Sequence, residues 1–285
     1  MGDTAVLRVE LSDDHPGFSD VDYRRRRDTI AAAAAGHRSG DPLPVVQYTA
    51  EEDALWRLVS TELAAKHRRY ACEEYLEAVE MLALPRDHVP QLREVSERLL
   101  ELTGFRIEPV PGLVSTRRFY GSLADRCFLA TQYIRHHSVP FYTPEPDVVH
   151  ELVGHCNMLA NPRFADLYEQ AGAASRRASS DESLEFFSRV FWFTIEFGVV
   201  WERDELRTYG AGLLSSYGEL DAFGDAEIRD LDVVSMGTRD YDITRYQPVL
   251  FAGRSMDEVA GVLSAFLATY DDTSYHAWVT AGARR

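Results

Sequence analysis

The sequence predicts a mainly α-helical protein with a few short β-strands. Apolar residues recur at helical spacing along much of the chain, and helix-capping residues precede several of these stretches. No linker rich in Pro, Gly or Ser divides the 285 residues, so we expect a single domain over residues 1–285, with flexible ends at 1–13 and 271–285. The predicted strands are Phe105–Val110, Asp232–Val234 and Tyr246–Phe251.

Start and stop signals define the predicted helices in chain order. Ser19 suits the cap of a first helix that runs to residue 35. Thr49 and Glu52 have the spacing of a capping box, in which each side chain bonds the other residue's backbone. Pro90 suits the first position of a later helix, and Gly104 suits its end. The other predicted helices are Cys72–Leu82, Gln91–Leu102, Phe119–His136, Pro146–Leu159, Asp181–Glu202 and Ser255–Thr269.

Charge and cysteine usage exclude several classes of function. The chain has 46 acidic and 30 basic residues, a net charge of −16, and would repel nucleic acids and anionic membrane surfaces. No apolar run reaches the roughly 18 residues of a membrane span, and the N-terminus lacks a secretory signal. Cys72, Cys127 and Cys156 are odd in number and widely spaced, which indicates free thiols in a reducing cytoplasm.

Two histidines, His150 and His155, form the most informative pair of residues. A zinc protease helix carries its histidines four residues apart, on one face, with a glutamate between them. Here the separation is five, which puts the side chains about 140° apart on an ideal helix. Both rings can therefore reach one metal only if the helix is distorted or the metal lies near its end. Gly154 gives the backbone local freedom for such a distortion.

A lone carboxylate supplies a third candidate ligand. Glu196 lies within the apolar, aromatic stretch Phe186–Val200. Burying a carboxylate there costs several kcal/mol unless a cation or hydrogen bonds compensate. Two histidines and one carboxylate form the facial triad of non-haem Fe(II) oxygenases. The alternative is an ion pair of Glu196 with Arg189 or Arg203.

Three further features could bind a small molecule. Arg135 could hold a carboxylate through two hydrogen bonds, or it could simply face water at a helix end. In the small-residue segment 210–216, backbone can approach a ligand closely, although a phosphate-loop pattern is missing. Trp192, Phe193 and Phe197 could line a flat pocket for an aromatic ring, or they could belong to the core.

Together these residues resemble a known family. The chain is similar to the catalytic domain of the pterin-dependent aromatic amino acid hydroxylases, which act on phenylalanine, tyrosine and tryptophan. The similarity covers nearly the whole chain in family order. The matching segments are Asp14–Phe18, Pro90–Leu92, Thr103–Arg106, Thr131–His136, Tyr142–His155, Trp192–Gly198, Tyr209–Ser216 and Tyr246–Pro248.

The resemblance implies a helical basket around a mononuclear iron, with His150, His155 and Glu196 as its ligands. It implies Fe(II), a tetrahydropterin and O₂ as cofactors and co-substrate, and an aromatic amino acid as substrate. The length leaves no room for a regulatory domain and resembles the short bacterial forms, so we expect a monomer.

The resemblance also assigns the binding residues. Glu151 would lie near the pterin and the metal-bound water as a catalytic group, and Phe119 would stack on the pterin. Gly112 and Val114 would contact the pterin through their backbone, and Phe191, where a tyrosine is common, would border it. The residues implied to hold the amino acid substrate are Arg135, Thr143, Pro146, Trp192, Phe197, Gly212, Ser215 and Ser216.

The resemblance favours phenylalanine hydroxylation to tyrosine, because Trp192 favours phenylalanine or tyrosine over tryptophan as substrate. One departure from the family keeps the ring position open: Cys156-Asn157 follows His155 where the family usually has Val-Pro. We therefore keep 3-hydroxylation to meta-tyrosine as an alternative, with tyrosine or tryptophan hydroxylation below it. From other classes we keep a zinc metallopeptidase and a binding protein without activity.

Overall fold

The structure is a computed structural model, and it describes residues 11–13 and 15–282. Helices dominate this part of the chain, as predicted, and two of them are π-helices. The α-helices are α1 (Val21–Ala35), α2 (Ala50–Tyr70), α3 (Glu73–Leu82), α4 (Leu92–Thr103), α5 (Thr116–Leu123), α6 (Asn157–Leu159), α7 (Pro162–Arg177), α8 (Asp181–Phe191), α9 (Ala211–Ser215), α10 (Glu219–Ala222), α11 (Val233–Gly237), α12 (Met256–Thr269) and α13 (Asp272–Gly282). The π-helices are His150–Cys156 and Trp192–Glu196, and Phe223–Asp225 is a 3₁₀ turn.

The strands form two small sheets. They are β1 (Arg106–Pro109), β2 (Cys127–Ala130), β3 (Val199–Glu202), β4 (Glu205–Thr208), β5 (Glu227–Asp230) and β6 (Val249–Gly253). Strands β1 and β2 form a parallel pair, and the other four lie in the order β4-β3-β6-β5. The β3–β4 hairpin turns through Arg203 and Asp204, both with positive φ, as a tight primed turn requires.

Helix α7 lies at the centre of the helical packing and contacts α5 and α12 extensively. Gly172 permits the close approach of α5, because a Cβ atom there would lie 2.1 Å from the backbone nitrogen of Ala124. Helix α9 packs against both π-helices and so joins the two elements that carry the candidate metal ligands. No helix among the described residues combines the length and apolar character that crossing a bilayer requires.

Several predicted boundaries are confirmed. Both hydrogen bonds of the capping box between Thr49 and Glu52 are present at the start of α2. Gly104 ends α4 with a left-handed φ of 77°. Ser255 caps α12 by accepting a hydrogen bond from the backbone N–H of Glu258. Strand β1 lies within the predicted Phe105–Val110.

The predicted helix Phe119–His136 is wrong. Helix α5 ends at Leu123, and Arg126 takes a left-handed φ of 48° before strand β2 begins. All four residues of β2 are buried. A short, continuous apolar run of this kind reads the same in a buried strand and in a buried helix, so its hydrophobic pattern could not distinguish the two.

Three local signals were also misread. Asp20, not Ser19, caps α1, because its Oδ1 accepts the backbone N–H groups of the first turn. Helix α4 begins at Leu92, two residues after Pro90. The predicted strand Asp232–Val234 is a helix start, since the Asp232 side chain accepts from the N–H of Ser235. In the first and third cases a polar side chain satisfies backbone groups that the pattern alone could not assign, whereas no side chain caps the start of α4.

The larger omissions concern whole elements. The predicted helix Asp181–Glu202 divides into α8, the second π-helix and β3, and the last predicted strand begins at Val249 instead of Tyr246. Helix α7 and strands β2 to β5 were not predicted. In the segment expected to be flexible from residue 271 onward, α13 forms and packs Tyr275 and Trp278 against the core. Residues 1–10 and 283–285, which belong to the predicted flexible ends, lie outside the described residues, as does residue 14.

Candidate metal centre and surrounding site

The first π-helix aligns His150 with His155. Its backbone hydrogen bonds run from residue i to i+5, so side chains five residues apart come to lie above one another. The Nε2 atoms of the two rings are 3.0 Å apart. Of the two possibilities that the spacing left open, a distorted helix or a metal near the helix end, the structure shows the distorted helix.

Gly154 serves close packing in this helix. A Cβ atom at residue 154 would lie 2.8 Å from the carbonyl oxygen of Ala211, which is the first residue of α9. Its φ does not lie in the left-handed region. The expectation that Gly154 supplies conformational freedom is thus replaced by a steric role, in which it lets α9 approach the histidines.

Glu196 ends the second π-helix and faces both histidines. Its Oε1 lies 3.2 Å from Nε2 of His155, and its Oε2 lies 4.0 Å from Nε2 of His150. One ligand atom from each of the three residues lies within 4.8 Å of the others. The exposed fraction is 2% for the His155 side chain but 17% for His150 and 13% for Glu196, so the cluster is reached from the side of the latter two.

The two arginines that could have neutralised Glu196 pair elsewhere. Arg189 donates to Glu185 at 2.6 Å and to Asp240 at 2.7 Å. Arg203 forms an exposed ion pair with Glu73. This geometry removes the ion-pair alternative and leaves the carboxylate of Glu196 with the two histidines.

A hydroxyl group lies against the far nitrogen of each histidine. The Nδ1 atom of His150 is 2.8 Å from Oγ of Ser215, and Nδ1 of His155 is 2.7 Å from the hydroxyl of Tyr168. Such contacts outside the ligand set fix the orientation of a metal-binding ring and its tautomer.

The onward bonds of these hydroxyls determine the tautomers. Ser215 donates its proton to the carbonyl of Ala211 at 2.8 Å, and Tyr168 donates to the sulfur of Met158 at 3.5 Å. Each hydroxyl oxygen is then left to accept the Nδ1–H of its histidine. Each ring therefore has its Nε2 free of other partners on the side of Glu196, where loss of the Nε2 proton gives the form that binds a metal. The facing carboxylate of Glu196 raises the pKa of His155, so a metal would displace that proton.

Burial and charge act on the protonation of this cluster. Burial, reinforced by the neighbouring His155, lowers the pKa of His150 to about 4, so its ring is neutral at pH 7. Burial alone would raise the pKa of Glu196, but the facing histidines outweigh that effect and lower it. A neutral imidazole and an ionised carboxylate are the donor forms that a divalent metal requires. The three residues therefore fit one such ion.

Glu151, the next residue after His150, is held by Thr131. Its Oε1 accepts hydrogen bonds from the backbone N–H and the hydroxyl of Thr131, both at 3.1 Å. Burial raises the pKa of Glu151 to about 7. A carboxyl group with such a pKa can take up or release a proton near neutral pH.

Arg135 and Asp147 form a buried pair beside the candidate metal ligands. The guanidinium donates from Nε to Oδ2 at 2.9 Å and from Nη2 to Oδ1 at 2.8 Å. Arg135 is only 3% exposed, so the expectation that it faces water at a helix end is wrong. Asp147 also accepts the backbone N–H of His150 at 3.1 Å, which links the pair to the first π-helix.

Two aromatic rings and one hydrogen bond hold Trp192 in place. Tyr241 stacks on it at 4.2 Å and 10°, and Phe197 lies at 4.4 Å and 32°. The indole N–H donates to Gln247 at 3.2 Å. Phe193, in contrast, is 1% exposed and packs on the core, so its interpretation as a core residue is correct.

The predicted pterin residues differ in how deeply they are buried. Phe119 and Val114 are half-buried, and both pack against a small apolar cluster on strand β2 and the residue that follows β1. Phe119 meets Phe191 edge-on at 6.4 Å. Phe191 itself is 3% exposed, and Gly112 is buried.

The predicted substrate residues outside this region have defined neighbours. The hydroxyl of Thr143 donates to the backbone carbonyl of Glu145 at 2.8 Å, just before Pro146. Gly212 lies under the ring of Phe197, since a Cβ atom there would come within 2.7 Å of that ring.

Ser215 was expected to contact the substrate, but its hydroxyl faces His150. Ser216 directly follows α9 and is half-buried.

Sequence reasoning missed several residues of the site. Asp147 lies inside the matching segment Tyr142–His155, and an acid beside a predicted carboxylate-binding arginine was an available signal. Tyr168 lies on α7, whose start carries an Asn161-Pro162 cap signal that was not used. The other missed residues are Thr131 as the partner of Glu151, and Tyr241 and Gln247 as the partners of Trp192.

Two histidines and one carboxylate in a mainly helical fold define a mononuclear, non-haem type of metal centre. Residues 3–277 match the family model for the biopterin-dependent aromatic amino acid hydroxylases, and the chain belongs to this family. It is therefore a pterin-dependent aromatic amino acid hydroxylase. The zinc metallopeptidase alternative finds no support in this result.

Individual relatives agree with the family. The chain is 50% identical over 270 residues to a phenylalanine 3-hydroxylase of Streptomyces coeruleorubidus, which covers 95% of this chain and 97% of that protein. It is 45% identical over 263 residues to the tyrosine 3-monooxygenase of Bos taurus, covering 90% of this chain and 53% of that enzyme. The chain thus spans about half the length of the mammalian relatives it matches.

Solved structures agree as well. Phenylalanine hydroxylase from Colwellia psychrerythraea superposes with a TM-score of 0.78 at 31% identity, covering 87% of this chain and 94% of that one. The enzyme from Chromobacterium violaceum, solved with iron(III) and 7,8-dihydrobiopterin, gives a TM-score of 0.78 at 30% identity, covering 91% and 92%. The helical fold expected from the resemblance is confirmed.

Proposed function

We propose that this protein hydroxylates the ring of L-phenylalanine at carbon 3, using a tetrahydropterin, O₂ and one iron ion. The observation that supports this proposal most strongly is the 50% identity to a phenylalanine 3-hydroxylase across nearly the full length of both chains. Identity to the phenylalanine hydroxylases of known structure is about 30%. This proposal replaces 4-hydroxylation, the reaction favoured from the sequence.

Iron would be held by His150, His155 and Glu196. The support is the donor set itself, with two imidazole Nε2 atoms and a carboxylate directed at one another. When bound, Fe(II) and the tetrahydropterin together activate O₂ for transfer of one oxygen atom to the ring. The protein residues around them bind, orient and exclude water.

Arg135 would bind the carboxylate of the amino acid. Asp147 accepts hydrogen bonds from Nε and Nη2 of the guanidinium. The third nitrogen, Nη1, lies 3.5 Å from the carbonyl oxygen of Pro140, a weak contact that the substrate carboxylate can replace. Thr143, Pro146 and the Gly212–Ser216 end of α9 would shape the rest of the amino acid site. Ser215 acts there through His150.

The ring of the substrate would lie against Trp192 and Phe197. Tyr241 and Gln247 fix the Trp192 ring, so its position is set before substrate binds. Gly112, Val114, Phe119 and Phe191 would border the pterin. Glu151 would hold a proton close to the pterin and the metal-bound water, since its pKa near 7 makes both protonation states accessible.

The Cys156-Asn157 pair does not face this pocket directly. Cys156 is fully buried, and the Asn157 amide donates to Val153 and to the hydroxyl of Tyr75. The contacts of this pair are therefore with the core behind the first π-helix. Any effect on ring position would act through the placement of His155.

A product analysis tests the proposal. Purified protein would be supplied with Fe(II), tetrahydropterin, air and L-phenylalanine, and the products separated against ortho-, meta- and para-tyrosine. We expect meta-tyrosine, and none in reactions without pterin. Para-tyrosine as the sole product would overturn 3-hydroxylation and establish 4-hydroxylation, which the structural likeness to the phenylalanine hydroxylases favours. Tight binding of both ligands without any product would indicate a binding protein.

The proposal also includes the oligomeric state and the cellular location of the protein. We expect a monomer acting in the cytoplasm as one catalytic domain over residues 1–285. The cysteines support the cytoplasmic location, because Cys72, Cys127 and Cys156 are all free and buried.

A further inference from the structure

A second group of metal-ligating side chains lies outside the iron ligands. It consists of Asp20, which caps α1, and of His136 and His137, which directly follow Arg135. One ligand atom from each residue lies within 4.8 Å of the others. Asp20 and His136 are 116 residues apart in sequence, so the cluster joins two separate segments.

Asp20 directs one of its two carboxylate oxygens at His136. Its Oδ1 accepts the backbone N–H groups of Asp22 and Tyr23 at 3.0 and 2.9 Å. Its Oδ2 lies 3.3 Å from Nε2 of His136. The side chain of Asp20 is 35% exposed, so a hydrated ion can reach it from solvent.

The ring of His136 is fixed in position by packing. It is 7% exposed, and Tyr23 meets it edge-on at 4.9 Å. Its Nδ1 lies 2.7 Å from Oγ of Ser138. Because Nδ1 also accepts the backbone N–H of Ser138 at 3.3 Å, Nε2 carries the ring proton and donates it to Oδ2 of Asp20. A divalent cation that takes the place of this proton would be bound by both atoms.

The spacing of these two atoms suits a tetrahedral ion. Zinc bonds of about 2.0–2.1 Å to nitrogen and oxygen place neighbouring ligand atoms about 3.3–3.4 Å apart. The observed separation is 3.3 Å. His137 is exposed, and its ring lies 4.3 Å from that of His136, from where it can supply a third ligand and leave a fourth position for water.

We propose that Asp20, His136 and His137 bind a first-row divalent cation of the zinc type. Imidazole and carboxylate ligands suit such ions, whereas calcium and magnesium prefer oxygen alone. The bound ion ties the start of α1 to the segment that carries Arg135. It does so independently of the iron ligands and of the reaction.

The test uses iron-loaded protein, because zinc could also enter the iron site. The protein would be loaded anaerobically with Fe(II), incubated with Zn²⁺, desalted and measured for both metals. Two variants remove a ligand: His137→Asn, and Asp20→Asn, which keeps the helix cap because Asn caps as well as Asp. His276→Asn, an exposed histidine on α13, is the matched control.

We expect one zinc in addition to one iron in the unmodified protein and in the His276→Asn control. We expect the zinc to be lost from both ligand variants, with their iron retained. Zinc should also raise the thermal midpoint of the unmodified protein but not that of the ligand variants. Equal zinc in all four proteins, or zinc that enters only as iron leaves, would overturn the proposal.

Discussion

Asp147 binds Arg135 through both carboxylate oxygens and at the same time accepts the backbone N–H of His150. The residue proposed to hold the substrate and a proposed metal ligand are therefore positioned by the same buried carboxylate. Both members of the pair are almost fully buried. Breaking such a pair leaves an uncompensated charge, which typically costs 3–5 kcal/mol of stability.

Arg135→Ala should chiefly raise the KM for the amino acid. Loss of charge-assisted hydrogen bonds worth about 1.5–3 kcal/mol corresponds to a roughly 10- to 100-fold increase. Arg135→Lys keeps the charge but loses the paired geometry, so its KM should lie between those of the unmodified protein and of Arg135→Ala.

Steady-state kinetics and thermal midpoints would be measured together for these variants. Arg254→Ala, which removes an exposed arginine paired with Glu258, is the control. An unchanged KM in a destabilised Arg135→Ala variant would assign Arg135 a structural role only.

Tyr168→Phe should weaken iron binding by about 10- to 100-fold, because His155 loses the acceptor for its Nδ1 proton. Equilibrium titration with Fe(II) measures the effect. Tyr270→Phe is the matched control, since its equally buried hydroxyl bonds the carbonyl of Ser183 instead. Equal iron affinity in the two variants would show that the tyrosine does not orient His155.

Ser215→Ala distinguishes two roles for one residue. If Ser215 acts through His150, as the 2.8 Å contact indicates, the variant should lose iron affinity while the substrate KM of fully iron-loaded enzyme stays unchanged. If Ser215 binds the substrate instead, as the sequence led us to expect, KM should rise with iron affinity unaltered.

The site was more predictable than the elements that carry it. Glu196 was found because burying a carboxylate among apolar residues requires compensation, and that argument needs no knowledge of backbone geometry. His150 and His155 were found as a closely spaced pair, and the resemblance joined the three as one ligand set. The need for a distorted helix followed from the spacing of five. The π-helices themselves could not be predicted, because α9 and the strands packed against them come from distant parts of the sequence.

The position of Ser215 shows the limit of local patterns. Its segment was singled out from the sequence, but the direction of its side chain depends on tertiary packing. Ser215 faces a histidine that is 65 residues away in sequence. Strand β2 was read as helix for the same reason, since its partner β1 is what makes it a strand.

Glu219 should make stability depend on pH. It is buried and accepts the backbone N–H of Gln247 at 2.7 Å, and burial raises its pKa to about 7. Because the folded state holds this proton more tightly than the unfolded state, the free energy of unfolding should fall as pH rises from about 4.5 to 7, by about 3 kcal/mol at most.

Denaturant unfolding of the protein and of Glu219→Gln between pH 5 and 8 checks this expectation. The free energy of unfolding of Glu219→Gln, relative to that of the unmodified protein, should increase as the pH rises to about 7 and then level off. Parallel pH profiles would show that Glu219 is not the responsible group.

Two glycine-to-alanine variants test the packing of the helices. Gly172→Ala should destabilise by about 2 kcal/mol or more, because its Cβ would clash with the backbone at Ala124. Gly261→Ala, in the interior of α12 with no atom nearby, should stabilise by about 0.5–1 kcal/mol. Chemical denaturation measures both, and similar stability of the two variants would contradict the close α5–α7 contact.

The iron content of the Glu196→Ala variant tests the central claim most directly. The variant, the unmodified protein and the control Glu185→Ala, an exposed acid on α8, would be loaded anaerobically with Fe(II), desalted and assayed for iron and for hydroxylation. We predict one iron per chain and activity in the last two, and neither in Glu196→Ala. An iron-loaded, active Glu196→Ala protein would contradict a centre built from His150, His155 and Glu196.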